Sequence, residues 1–239
     1  MRTYIDEEAL MKLIQRQGYL DFLRRNRNRP IVKVVSGIRR CGKSTLFRLF
    51  KDELLSEGVK PEQIISINFE ELEYEHLREY HALYQYILER MQPDEMNYIF
   101  LDEIQHVDQF HRVVDSLFVK ENTDLYITGS NAYFMSSDIA TLLTGRYVEI
   151  QMLPLSFSEF YHSKYDGNQY SLIPAYESYL RESSFPYTQQ LGGEDFDIQE
   201  YLRGLYNTLL LHDVVARLKI SDVTILQDIV RYIMSNIGS

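Results

Sequence analysis

The residues from Gly37 to Thr45 have the types and spacing of a phosphate-binding loop. Gly37, Gly42, Lys43 and Ser44 satisfy the pattern G-x-x-x-x-G-K-[ST]. Glycines let the backbone wrap so closely that its N–H groups point inward at a triphosphate. Lys43 would place a cation between the β- and γ-phosphates, and the Ser44 hydroxyl is a hard oxygen ligand suited to Mg²⁺. The sequence therefore predicts a nucleoside triphosphate site formed by Gly37, Ile38, Arg39, Arg40, Cys41, Gly42, Lys43, Ser44 and Thr45.

The segments on either side of this loop must hold it in place. The apolar run Ile31–Val35 predicts a buried strand, and Thr45–Leu55 predicts a helix. Such a helix adds its partially positive N-terminus to the phosphate site. The alternative interpretation is a glycine turn with an exposed lysine, and the strand and helix disfavour it.

Two adjacent carboxylates supply the second half of a catalytic site. Asp102 and Glu103 end the apolar run Asn97–Asp102, which predicts a fully covered parallel strand. An acid in this position can hold the Mg²⁺ shell, so Asp102 and Ser44 are the predicted metal ligands. A second acid can activate the attacking water, which is the role predicted for Glu103. The alternative is a pair of carboxylates at an ordinary turn.

A weaker signal follows the next predicted strand, Leu125–Thr128. Ser130 and Asn131 carry small polar side chains that could reach the γ-phosphate or the water. Gly-Ser-Asn is also common turn composition, so this interpretation competes with a plain turn.

The alternation of strands and helices predicts a fold of the α/β class. Right-handed crossovers between successive strands imply a doubly wound parallel sheet. We expect an N-terminal helical segment over residues 1–30, a nucleotide-binding core over 31–155 and a helical C-terminal segment over 156–239. The five predicted strands are Ile31–Val35, Gln63–Phe69, Asn97–Asp102, Leu125–Thr128 and Tyr147–Met152.

Composition narrows the classes of partner. The formal charge is −10, which disfavours nucleic-acid binding by the whole surface. The first 45 residues nevertheless carry 11 Lys or Arg against 4 Asp or Glu, and the basic run Arg24–Pro30 could contact an acidic partner. We favour a solvated helix end for that run. No stretch has the length of a transmembrane helix, so no membrane contact is expected.

The single cysteine, Cys41, excludes an internal disulfide and fits a cytoplasmic protein. It lies beside Lys43 near a predicted helix N-terminus, surroundings that lower the pKa of a thiol. One hypothesis is that modification of Cys41 blocks nucleotide binding. The favoured alternative is a small residue without such a role.

Four segments together resemble a known family. GIRRCGKSTL, IFLDEIQ, ITGSNA and LTGRYVEIQMLPLSFSEF occur in that order, as in a group of predicted prokaryotic ATPases of the AAA-plus superfamily that carry a C-terminal domain of unknown function. The resemblance implies ATP as the nucleotide and a P-loop NTPase sheet with strand order 5-1-4-3-2. It also implies that Ser130 or Asn131 is the sensor residue and that Arg146 is the arginine before the fifth strand.

The position of Arg146 suggests action on a neighbouring subunit. It precedes a strand whose far end faces the nucleotide, and five or six residues span about 17–20 Å, beyond the reach of an arginine side chain. We therefore expect Arg146 to serve a neighbouring copy's nucleotide in a homo-oligomer. The alternative is a local ion pair, for example with Glu149, or a cap on the preceding helix.

Two departures from the family pattern stand near the C-terminus. Ser183-Ser184 precede Phe185-Pro186 where relatives usually have Gly-Gly. Relatives also continue well past the equivalent of Ser239, which follows a helical pattern with an apolar stripe. We therefore expect the C-terminal segment to be truncated.

The sequence as a whole predicts a Mg²⁺-dependent ATPase whose hydrolysis drives a conformational change in an unidentified protein partner or in its own C-terminal region. One alternative is a nucleotide-dependent switch or scaffold without significant turnover. Another is a DNA-associated motor or loader that uses the basic N-terminal part, which the acidic remainder disfavours.

Overall fold

The computed structural model describes residues 14, 16–130, 143, 145–165, 170–191, 195–209, 214–215 and 222–237. The chain divides into two compact units, Met1–Tyr187 and Thr188–Ser239. The first unit contains the strands β1 (Val32–Gly37), β2 (Ile64–Asn68), β3 (Asn97–Asp102), β4 (Thr123–Ser130) and β5 (Tyr147–Met152), and the helices α1 (Gln17–Asn26), α2 (Lys43–Ser56), α3 (Tyr80–Leu88), α4 (Phe110–Phe118), α5 (Phe157–Tyr165) and α6 (Leu172–Glu182). The second contains α7 (Asp195–Thr208) and α8 (Val223–Ser235).

The five strands form one parallel sheet in the order β2-β3-β4-β1-β5. This confirms the predicted fold class and strand order. The register places Gly37 beside Ser130 on one side and beside Met152 on the other. The carboxyl ends of β1, β3 and β4 therefore share one edge of the sheet, where ligands bind in open α/β sheets.

Helices cover both faces of this sheet, which explains the apolar runs in its sequence. Every residue of β1 and β3 is buried, whereas the edge strands β2 and β5 are only partly buried. One face packs against α3 and α4, and the other packs against α1 and α2. Central strands of a parallel sheet lack a solvent face and thus read as continuous hydrophobic segments.

The element bounds differ from the sequence prediction in a few places. Within the N-terminal segment predicted to be helical, residues 1–30, the described helix is α1, Gln17–Asn26. The C-terminal segment is helical, as predicted. The apolar stripe of α8 is solvent-exposed, at Ile225, Ile229 and Ile233 among others.

β4 begins earlier than predicted because a buried ion pair lets a charged residue enter it. Asp124 and Lys33 of β1 form an ion pair in which neither side chain is exposed. The Asp124 carboxylate also accepts hydrogen bonds from the Tyr126 hydroxyl (2.7 Å) and the Asn28 backbone N–H (2.8 Å). Burial lowers the pKa of Lys33, and the nearby Asp124 charge opposes that shift.

We predict that Asp124→Ala lowers the free energy of unfolding by about 3–5 kcal/mol, because it leaves the Lys33 ammonium buried without a counter-charge. Chemical denaturation followed by circular dichroism would measure this loss. Glu95→Ala is the control, since it removes a carboxylate from the exposed ion pair with Lys60 and should matter far less. A loss below about 1 kcal/mol for Asp124→Ala would contradict the prediction.

Candidate functional site

The loop between β1 and α2 is shaped by two glycines. A Cβ atom on Gly37 would lie 2.4 Å from the Met152 carbonyl oxygen and 2.9 Å from the Cys41 sulfur, so no other residue fits there. Gly42 has φ = 107°, a conformation that L side chains rarely adopt, and it immediately precedes α2. The loop therefore runs close to β5 and delivers the N-terminus of α2 to the carboxyl edge of the sheet.

Lys43 is buried and held at this edge by two kinds of acceptor. Its Nζ donates to the Gly37 carbonyl oxygen at 3.1 Å and lies 3.2 Å from Glu103 Oε1. Only 3% of the Lys43 side chain and 8% of the Glu103 side chain are exposed. Burial strengthens such an attraction because little water screens it. The cation of the loop and the carboxylate after β3 thus meet directly.

Asp102 and Ser44 meet next to that pair. The Asp102 carboxylate accepts a hydrogen bond from the Thr128 hydroxyl, and the Ser44 side chain is close enough to act on it as well. Burial raises the pKa of Asp102, and the interactions with Ser44 and Thr128 oppose that shift. A hydroxyl and a carboxylate oxygen side by side are ligands that Mg²⁺ prefers.

Glu103 has an unusual backbone conformation. Its φ of 54° and ψ of 47° lie in the left-handed region, after which the chain enters a short 3₁₀ helix, Ile104–His106. The Gln105 side chain donates to Glu103 Oε2. A left-handed conformation is strained for a non-glycine residue and persists only where the surrounding structure stabilises it. Such residues are found often at functional sites.

The other residues of the predicted site differ in burial and in their contacts. Ser130 is buried at the end of β4, beside Gly37, whereas Asn131 lies outside the described residues. Arg39 forms an exposed ion pair with Glu70. Arg40 is exposed and has φ = 68°, again left-handed. The structure therefore brings Lys43, Ser44, Asp102, Glu103 and Ser130 to one edge of the sheet.

Arg146 lies at the opposite edge. It immediately precedes Tyr147, which pairs with Val32 at the start of β1. Its guanidinium lies 3.8 Å from Asp115, and not beside Glu149, whose carboxylate instead accepts from Ser36. About half of the Arg146 side chain is exposed. The expected separation from the chain's own phosphate loop is present.

A buried arginine that no sequence pattern indicated holds the phosphate loop on its far side. The Arg16 guanidinium donates to the carbonyl oxygens of Cys41 (3.2 Å), Leu153 (2.6 Å) and Pro154 (3.2 Å). It also forms a bidentate pair with the Glu159 carboxylate, at 2.8 and 3.0 Å. Arg16 therefore ties the phosphate loop to the segment that follows β5.

A local pattern could have indicated Glu159. Ser156 and Glu159 form a capping box at the start of α5: the Ser156 N–H donates to Glu159 Oε2 (2.8 Å), and the Glu159 N–H donates to Ser156 Oγ (3.2 Å). The S-x-x-E spacing is visible in the sequence. No local pattern indicates its distant partner Arg16.

One protein family and two curated proteins are similar to this chain in sequence. Residues 29–161 match the family model described as "AAA domain". An uncharacterised protein of Haemophilus influenzae is 37% identical over 95% of this chain and 56% of its own length. An uncharacterised protein of Methanocaldococcus jannaschii is 30% identical over 86% of this chain and 47% of its own length. The chain thus spans about half the length of these two relatives.

Solved structures share the fold at low sequence identity. The Walker-type ATPase of Pyrococcus abyssi superposes with a TM-score of 0.59, at 16% identity, over 87% of this chain and 77% of that chain. Hsp104 superposes with a TM-score of 0.54, at 13% identity, over 83% of this chain and 41% of that chain.

Among the described residues, none of the helices is both long and apolar enough to cross a membrane.

The predicted lowering of the Cys41 pKa is wrong. The Cys41 side chain is completely buried, and burial raises the pKa of its thiol although Lys43 and Arg16 oppose the shift. A helix N-terminus and a lysine activate a cysteine only when the thiolate remains solvated.

We predict that maleimide labels Cys41 much more slowly in the native protein than in denaturant, because the thiol is protonated and covered. Labelling followed by mass spectrometry, with and without Mg-ATP, would measure both rates. Rapid native labelling that Mg-ATP blocks would contradict this prediction and restore the hypothesis of an exposed, nucleotide-protected thiol.

Proposed function

Because the chain belongs to the AAA domain family of P-loop ATPases, we propose that it binds ATP and hydrolyses it to ADP and phosphate, and that the reaction drives a conformational change. The observation that carries the proposal is the buried contact between Lys43 and Glu103, 3.2 Å apart at the carboxyl edge of the sheet. It brings a phosphate-binding cation and a candidate general base into one site.

Nucleotide binding would begin at the loop. Backbone N–H groups of Gly37–Thr45 and the N-terminus of α2 would receive the phosphates. The Lys43 ammonium would exchange its contact with Glu103 for the β- and γ-phosphate oxygens. That exchange keeps the buried cation paired and releases the Glu103 carboxylate for another partner.

Ser44 and Asp102 fit a magnesium ion, since they bring a hydroxyl and a carboxylate oxygen, which Mg²⁺ prefers as ligands, to the same edge of the sheet, where Ser44 helps to lower the pKa of Asp102. A bound Mg²⁺ would neutralise charge that develops on the β- and γ-phosphates.

Glu103 is the proposed general base. Its carboxylate would accept a proton from a water while the water oxygen forms a bond to the γ-phosphorus and the bond to the β–γ bridging oxygen breaks. The products are ADP and inorganic phosphate. Ser130, and Asn131 next to it in the chain, are the proposed contacts to the γ-phosphate or the water. The choice of adenine follows from the family alone.

A switch or scaffold without significant turnover is the second candidate, and steady-state phosphate release separates it from an ATPase. Nucleic-acid binding has less support because two of the four arginines in the basic run pair with carboxylates of the same chain. Arg24 forms a bidentate pair with Glu53 at 2.7 and 2.8 Å, and Arg27 pairs with Glu57. The proposed protein partner is unidentified. We also propose a cytoplasmic location, which fits the reduced Cys41.

We predict opposite behaviour for the two ends of the buried pair. Lys43→Ala should abolish or greatly weaken ATP binding, because it removes the loop cation aimed at the terminal phosphates. Glu103→Gln should bind ATP at least as tightly as the parent, because Lys43 loses its competing carboxylate. Its hydrolysis rate should fall by about 10²–10⁴-fold, since an amide cannot accept a proton.

Calorimetric ATP titration and phosphate-release assays would measure these effects, with Lys60→Ala as the control for loss of an exposed lysine. Unchanged affinity in Lys43→Ala would refute the phosphate-loop assignment. Unchanged turnover in Glu103→Gln would show that another group activates the water.

We further propose that Arg146 stabilises charge on the γ-phosphate of a neighbouring copy. An arginine supplied from outside can be worth about 10³–10⁵ in rate. Arg146→Ala and Glu103→Gln proteins, each nearly inactive alone, should partly restore hydrolysis when mixed, because some interfaces would join an intact Arg146 to an intact Glu103.

Asp115→Asn is the matched control for this test, because it removes the local ion pair of Arg146 and keeps the arginine. Normal hydrolysis by Arg146→Ala at concentrations where the parent assembles would contradict the proposal. An equal loss in Asp115→Asn would assign Arg146 a local structural role.

A further inference from the structure

We propose that Thr128 is a positioning residue that sets both carboxylates of the site with one hydroxyl group. The inference rests on the proposed function and names a residue beyond the loop, the two acids and the residues at the end of β4. Thr128 lies within β4, two residues before Ser130, and none of its surface is exposed.

The hydroxyl makes two contacts whose directions are fixed by chemistry. The backbone N–H of Glu103 can only donate, and it donates to Thr128 Oγ1 at 2.9 Å. The hydroxyl gives its single hydrogen to Asp102 Oδ1. Thr128 therefore holds the side chain of one acid and the backbone of the next.

These contacts allow two adjacent acids at the end of β3 to face the same loop. Successive side chains of an extended strand point to opposite faces of the sheet, so adjacent acids could not both face the loop if the strand continued. The left-handed conformation of Glu103 breaks that alternation. Glu103 then contacts Lys43, and Asp102 interacts with the adjacent Ser44, both at the start of α2.

A left-handed conformation costs a non-glycine residue about 1–3 kcal/mol and persists only where surrounding contacts hold it. At Glu103, Thr128 holds the backbone N–H and Gln105 holds the side chain. Loss of the Thr128 hydroxyl would leave a buried N–H without its acceptor and a buried carboxylate without one donor. The two acids would then lose their common orientation toward the loop.

The test compares Thr128→Val, which has nearly the same shape but lacks the hydroxyl, with Thr128→Ser, which keeps it. Thr123→Val is the control for the same substitution at the start of the same strand, where the hydroxyl faces the Leu117 and Lys120 carbonyl oxygens rather than a carboxylate. The first readout is the ratio of ATP affinities measured with Mg²⁺ and with EDTA. The second is kcat against KM for ATP, and the third is the unfolding midpoint.

We expect Thr128→Val to lose at least tenfold of the Mg²⁺-dependent gain in ATP affinity, while its affinity in EDTA stays near that of the parent. Its KM for Mg-ATP should rise in step with that loss of affinity, and its kcat should fall by about a hundredfold because the two acids no longer share their orientation toward the nucleotide. Thr128→Ser should recover most of both effects, and Thr123→Val should show neither. If Thr128→Val unfolds at the assay temperature, Thr128→Cys replaces it with a weaker donor, and its Mg²⁺-dependent gain and its kcat should both fall below those of the parent and of Thr128→Ser.

Retention of the Mg²⁺-dependent gain and of kcat in folded Thr128→Val would overturn the inference. So would an equal defect in Thr128→Ser, because the hydroxyl would then not be the decisive group. A parent protein without phosphate release would refute hydrolysis, and the Mg²⁺ dependence of ATP binding would still test Thr128 by itself.

Discussion

The site depends on the buried ion pair between Lys43 and Glu103. A lone buried charge is far less stable than a paired one, so each of these groups needs a partner at every stage of the proposed nucleotide cycle. The pair joins the loop after β1 to the end of β3 although β4 lies between them in the sheet. Phosphate oxygens can replace Glu103 as the partner of Lys43. Nucleotide arrival and release of the candidate base would then be parts of one exchange.

Two other buried charges in the first unit are also paired with a charge of opposite sign. Asp124 balances Lys33 at the opposite edge of the sheet, and Glu159 balances Arg16 behind the loop. Each charged group also makes at least one further hydrogen bond. Breaking such a network costs more than breaking an exposed pair, because water cannot replace the lost partner. Buried ion pairs thus hold the loop and the sheet, and core packing determines where those ion pairs lie.

Sequence patterns predicted the parts of this structure that depend on neighbouring residues. The loop spacing from Gly37 to Ser44, the apolar runs of the central strands and the acids after β3 are all local signals. The strand order followed from a family resemblance rather than from periodicity. Contacts across the fold escaped prediction: Arg16 reaches Glu159 over 143 positions, and Thr128 reaches Asp102 over 26. The predicted pKa shift of Cys41 was wrong for the same reason. Burial of the thiol depends on packing across the fold, whereas its sequence neighbours suggested a shift in the opposite direction.

Steady-state phosphate release by the unmodified protein at saturating ATP tests the central claim most directly. The measurement should cover a range of protein concentrations and should be made with Mg²⁺ and with EDTA. A Mg²⁺-dependent ATPase predicts release that saturates with ATP and disappears in EDTA, with a rate per subunit that rises as copies assemble if Arg146 acts on a neighbour. ATP binding without phosphate release above the buffer rate, at any protein concentration, would contradict hydrolysis and identify the protein as a nucleotide-dependent switch.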